Sequence, residues 1–271
     1  MLENLRASGV LALIVVVTVP LIPVQFLANR FNWQLKRNLP VFWHRMASRL
    51  VGLKVTVKGH MADDRPLLIV ANHVSWLDIL AFSTVGSVSF VAKREVRTWP
   101  GVGLLAALQR TVFVDRERRT KTAGSAREIS ARLETGDVLV LFAEGTSSDG
   151  GRVLPFRTAL FGALPANSKS RGEELRGMKD TDVQVQPVAI AYTHLQGIVV
   201  GTPDRAIMGF YGDMDMAPHL WSVIRKGGVD ATIAFGTPYA AQSFENRKDL
   251  AQALHQDVRV LRREAIGSTA V

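Results

Sequence analysis

The segment Asn72-His73-Val74-Ser75-Trp76-Leu77-Asp78 sets an imidazole five positions before a carboxylate, directly after the apolar run Leu67–Ala71. Along a continuous helix five residues turn through about 140°, so the two side chains would diverge. Ser75-x-x-Asp78 followed by Ile79, Leu80 and Phe82 reads as a capping box that opens a helix. His73 then sits in the loop before the helix and Asp78 in its first turn, where the chain can fold back and join them. A carboxylate on one ring nitrogen fixes the tautomer and leaves the other nitrogen free as a base. Such a base can deprotonate a hydroxyl as it attacks a thioester carbonyl, with the acceptor alcohol as its own nucleophile. Taken alone, the pair has a plainer explanation: Asp78 as a helix N-terminal charge and His73 as a satisfied loop residue. Two rivals share these residues. A serine hydrolase is disfavoured because no Gly-x-Ser-x-Gly elbow is present, and a non-catalytic membrane scaffold would not need His73 at all.

These residues require a scaffold, and the pattern from about residue 52 onward supplies one. Short β-branched runs predict strands at Leu53–Val57, Leu67–Ala71, Val88–Ala92, Thr111–Val114, Val138–Phe142, Val185–Ala191 and Thr232–Phe235. Segments of helical period lie between many of them, notably Thr122–Thr135, and the alternation predicts an α/β fold with a mostly parallel sheet flanked by helices. Pro187 within a strand run predicts an edge or a bulge. Ala166–Asp182 reads as a polar surface loop. The tail from Asn246 carries Leu250, Leu254, Val258 and Leu261 on one face, as an amphipathic helix lying on the domain would. The expected division is 1–50 as an anchor with a basic amphipathic segment, 51–240 as the catalytic domain, and 241–271 as the terminal helix and tail.

Among the 271 residues there is no cysteine, which excludes disulfides, thiolate metal sites and a cysteine nucleophile. The formal charge of +9 implies a polyanionic partner. Between Glu3 and Asp63 no acidic residue occurs, while Arg6, Arg30, Lys36, Arg37, Arg45, Arg49, Lys54 and Lys58 are interleaved with Phe26, Phe31, Trp33, Phe42, Trp43 and Leu50. This stretch adjoins Val10–Ala28, an apolar run of spanning length broken only by Thr18 and Gln25. Together they point to an anionic membrane surface and not to nucleic acid, for which no module is visible. The charge asymmetry places the following chain on the cytoplasmic side of the inner membrane. Pro20 and Pro23 leave open a straight span, a bent hairpin or a one-leaflet anchor. A cleaved signal peptide is disfavoured, since no small-x-small site follows the run.

Asn72-His73-x-Ser75-x-x-Asp78 closely resembles the first motif of the glycerolipid acyltransferase family, typified by lysophosphatidate acyltransferases. Val112-Phe113-Val114-Asp115-Arg116 resembles its second motif, and Phe142-Ala143-Glu144-Gly145-Thr146-Ser147 its third, usually Phe-Pro-Glu-Gly-Thr-Arg. Gln186-Pro187-Val188-Ala189-Ile190 is similar to the fourth, and Lys93 matches a lysine common in the family. The resemblance spans roughly 50–240 and implies His73 and Asp78 as catalytic residues, with Lys93, Arg116, Glu144, Gly145, Thr146 and Ser147 around the acceptor head group. It implies a lysolipid acceptor and an acyl donor on acyl carrier protein or coenzyme A, with no cofactor or metal. Ser147 stands where arginine is usual, so a bidentate phosphate grip is lost unless Arg152 or Arg157 replaces it. The continuation Ser148-Asp149-Gly150-Gly151-Arg152-Val153-Leu154-Pro155-Phe156-Arg157 resembles the branch that acylates lyso-ornithine lipid, whose zwitterionic head group would suit Asp149 and Glu144. Lysophosphatidate is the alternative acceptor.

Overall fold

The computed structural model describes residues 1–115, 119–164 and 183–267. Arg116, Arg118 and the expected loop Ala166–Asp182 lie outside them. The helices are α1 (Leu2–Arg30), α2 (Leu35–Val51), α3 (Leu77–Val85), α4 (Val102–Leu108), α5 (Arg119–Glu134), α6 (Arg205–Met208), α7 (Met216–Lys226) and α8 (Arg247–Gly267). The strands are β1 (Leu53–Lys58), β2 (Leu67–Ala71), β3 (Val88–Lys93), β4 (Val112–Val114), β5 (Val138–Phe142), β6 (Gln184–Leu195), β7 (Ile198–Val199), β8 (Val229–Phe235) and β9 (Tyr239–Ala240). All of them join one sheet, ordered β1-β8-β6-β2-β5-β3-β4, with β7 and β9 added on β6. The five strands from β6 to β4 run parallel, and β8 turns antiparallel against β6.

Strand alternation divides the core between the two faces of the sheet. Leu67, Ile69 and Ala71 of β2 face a layer containing Ala47, Leu77, Phe82 and Val223, from α2, α3 and α7. Leu68 and Val70 face Ile129, Leu133, Leu250, Leu254 and Val258, from α5 and α8. The amphipathic tail thus lies on the sheet as its spacing predicts. Pro187 departs from expectation. It sits inside β6, paired with Val70 of β2, and the register shift falls at Tyr192/His194 instead. The missing donor is accommodated where β8 pairing gives way to β9 pairing, and Pro187 O still accepts from Gly236 N at 2.9 Å.

The N-terminal run forms one helix through both prolines. Its 29 residues extend about 43 Å, more than the roughly 30 Å hydrocarbon thickness of a bilayer. It is the one helix among the described residues that is long and apolar enough to cross a membrane. The chain turns at 31–34 and returns as α2, so the hairpin bend lies after the apolar run and not at Pro20 or Pro23. Trp43 Nε1 donates to Thr18 Oγ1 (2.7 Å), and Asn29 Nδ2 donates to Leu108 O (2.8 Å), fastening α1 to α2 and α4. Leu13, Val15, Val16, Val19 and Phe26 face outward. Part of the basic segment turns inward. Arg37 pairs with the buried Asp137 at 3.2 Å, joining Arg110 and Arg132 there, while the exposed Arg45 donates to Thr84 O at 2.9 Å. Arg30, Arg49 and Lys54 remain exposed.

Candidate active site

The carboxyl ends of the neighbouring parallel strands β2 and β5 carry the candidate residues. Ala71 is in register with Phe142, and Ala143 N donates to Ala71 O at 3.1 Å. Asn72, His73 and Asp78 follow β2, while Glu144 to Ser148 follow β5. Loops at this edge of an open α/β sheet are where ligands enter.

His73 folds back onto Asp78 as the helix-start geometry requires, with Nδ1 2.7 Å from Asp78 Oδ2. An ionised carboxylate only accepts hydrogen bonds, so Nδ1 carries the ring proton and Nε2 keeps a lone pair. The imidazole side chain is 22% exposed while Asp78 is fully buried, which opens the base to substrate and shields its partner. Asp78 Oδ2 also accepts from Val74 N (2.7 Å) and Ser75 N (3.1 Å), and Oδ1 accepts from Tyr192 OH (2.6 Å). Four donors therefore saturate one buried carboxylate. The imidazole lies 4.0 Å from the Phe142 ring at 13°, a stacked arrangement that fixes its plane.

Only half of the expected capping box forms. Asp78 reaches back to Ser75 N, but Ser75 Oγ is buried without a partner and Asp78 N donates to Ser75 O instead. The carboxylate serves the loop and His73 together. Asn72 locks the loop to β6, donating to Ile190 O and accepting from Ile190 N, both at 2.9 Å.

Glu144 is buried, and its Oε1 accepts from His73 N at 3.2 Å. Burial pushes its carboxyl up to about 8, against opposing pulls from backbone amides. Gly145 adopts φ +74°, a left-handed conformation that turns the chain past the strand end. Thr146 is exposed and Ser147 half-buried, while Ser148 N (3.0 Å) and Ser148 Oγ (3.3 Å) donate to His73 O. The structure thus brings His73, Asp78 and Glu144 together, with Gly145, Thr146 and Ser147 following. Lys93 ends β3, exposed at the same edge two strands from β2. Arg116 lies outside the described residues. Arg157 Nε donates to Glu144 O at 3.2 Å, whereas Arg152 is exposed.

A family model described as Acyltransferase matches residues 52–191, more than half of the chain and every motif just described. The chain belongs to the acyltransferase family. It is 45% identical over 266 residues to the lyso-ornithine lipid O-acyltransferase of Brucella abortus, covering 98% of this chain and 97% of that protein. A lyso-ornithine lipid O-acyltransferase of Rhizobium meliloti is 42% identical, covering 91% of this chain and 82% of that one. The fold is that of the crystal structure of the 1-acyl-sn-glycerophosphate acyltransferase from Thermotoga maritima, with a TM-score of 0.64 and 21% identity over 100% of this chain and 96% of that one.

Two further residues, Tyr192 and Phe142, shape this candidate site without a clear mark in the sequence. Tyr192 lies 114 positions from Asp78 and reaches it only because β6 pairs with β2. Its placement two residues beyond the fourth motif was the available signal. Phe142 stood inside the third motif as a strand residue, but nothing in its spacing marked a stacking partner for His73.

Proposed function

We propose that this acyltransferase moves a fatty acyl group from an acyl thioester, on acyl carrier protein or coenzyme A, to the free hydroxyl of lyso-ornithine lipid. His73 Nε2 accepts the hydroxyl proton as the alcohol oxygen attacks the thioester carbonyl. Asp78 holds Nδ1–H and balances the imidazolium formed in that step. Collapse of the tetrahedral intermediate expels the thiolate, which takes the proton back from Nε2. Atoms then balance as ester plus thiol, with the imidazole returned to its starting form. The observation that carries the catalytic part is the 2.7 Å contact from His73 Nδ1 to a buried, four-donor carboxylate, with the other ring nitrogen free.

The acceptor rests on different support. Near-full-length similarity to two proteins named for lyso-ornithine lipid favours it, as does Ser147 in place of a phosphate-gripping arginine. Lysophosphatidate is the second reading, favoured by Arg157 beside Glu144. Lys93 and Arg116 would then meet head-group anions, and Glu144 to Ser147 would border the acceptor. In this reading residues 1–50 anchor the enzyme in the inner membrane. The exposed apolar face of α1 and the basic residues Arg30, Arg49 and Lys54 meet an anionic leaflet from the cytoplasmic side.

His73→Ala tests the catalytic role. Acyl transfer from a radiolabelled donor is expected to fall at least about a hundredfold, the lower range for losing a general base, with the melting temperature retained. Near-normal turnover of a folded variant would overturn the reading.

A further inference from the structure

A cavity of about 70 Å³ lies beside the His73/Asp78 pair, and its basic residues come from outside the family-matched segment. Val74 and Tyr192, two of the donors to the Asp78 carboxylate, form part of its wall, so an occupant would sit one residue's width from the catalytic pair. Arg205 from α6 and Arg262 from α8 project into the same space. Arg262 donates to Gly150 O. The Arg205 Nη1 atom stands 2.7 Å from the point where a Cβ on Gly151 would be, so that glycine leaves room for the guanidinium. The two cations therefore flank adjacent residues of one loop. Among the described residues neither pairs with a carboxylate within 4.0 Å, although Asp149 and Glu144 act on the Arg262 charge from further away and Arg205 repels it. Asp149 lies on the rim, with Oδ1 accepting from Gly151 N at 2.8 Å.

Two half-buried guanidiniums with no carboxylate in ion-pair contact form an anion site, and the acidic Asp149 at the rim, close enough to act on the Arg262 charge, selects among anions. A doubly charged phosphate bound there would face Asp149. A head group carrying a carboxylate and an ammonium places each charge against its opposite. We propose that Arg205 and Arg262 bind the carboxylate of an amino-acid head group while Asp149 receives its ammonium, fixing which lysolipid presents its hydroxyl to His73. This assignment rests on the acceptor read above and identifies the residues that recognise it. It replaces the arginine absent at position 147 with a pair supplied by the last third of the chain.

The test compares lyso-ornithine lipid with its carboxylate methyl ester as acceptors for the full-length enzyme in mixed micelles. The wild type should prefer the free acid in kcat/KM by at least about tenfold, the effect expected of one charge-assisted contact. R205Q should erase that preference, mostly through KM, and R262Q should do the same if its loop stays folded. Since R262Q also removes a bond to Gly150, R205Q decides the matter. A wild type indifferent to esterification, or an R205Q enzyme that keeps the preference, overturns the assignment while leaving the acceptor intact. A wild type inactive on lyso-ornithine lipid overturns the acceptor and this assignment with it.

Discussion

Asp78→Asn isolates the charge of the candidate pair from its geometry. Asp78 Oδ2 takes three donors and Oδ1 takes the Tyr192 hydroxyl. An asparagine fits the same space in one orientation. Its oxygen keeps His73 Nδ1 and the two backbone amides, and its NH₂ donates to Tyr192, whose hydroxyl can accept as well as donate. The opposite flip would set an NH₂ group against three donors. The tautomer is thus retained and only the negative charge is lost. Between charges about 4 Å apart at an effective dielectric of 20, that charge contributes about 4 kcal/mol to the imidazolium formed during transfer. Through the transition-state relation this is about a thousandfold in kcat. The assay is steady-state acylation with KM and kcat resolved, beside a thermal melt. A folded variant within about fivefold of wild type would refute the view that Asp78 stabilises charge on His73.

Tyr192→Phe removes one of the four donors, so a loss of about threefold to thirtyfold in kcat is expected, smaller than for Asp78→Asn and readable in the same assay. Glu144 is raised from an ordinary value of 4.5 to about 8 by burial. The folded chain holds this proton while the unfolded chain releases it, so native stability falls as pH rises from about 4.5 to about 8. The melting-temperature difference between E144Q and wild type should accordingly grow in favour of E144Q from pH 5 to pH 8, and a pH-independent difference would count against it. Ser147→Arg should raise acylation of lysophosphatidate several-fold in steady-state assays with that acceptor, since it supplies a bidentate phosphate grip.

Strand positions were legible because β-branched runs between helical periods leave few alternatives: β2 and β5 begin and end where their sequences predict. The contact between His73 and Asp78 was legible from a helix start placed between them. What escaped depended on long-range topology. Tyr192 and Asn72 are joined to their partners through the β2–β6 pairing, and no local pattern carries that information. Pro187 misled because an interior strand tolerates proline where its neighbour changes from β8 to β9. Pro20 and Pro23 left the path of the anchor open, and the helix continues through them because it is held along its length, as Trp43 and Leu108 hold α1. Arg205 and Arg262 carried no motif at all, and only the folding of α6 and α8 over the loop at 149–151 brings them together.

The central claim is tested most directly by offering the purified full-length chain both lysolipids, with radiolabelled acyl groups on acyl carrier protein and on coenzyme A, alongside His73→Ala. The expected result is label appearing in ornithine lipid with at least one donor, lost in the variant. Label confined to phosphatidate, or undiminished without the imidazole, would contradict the account.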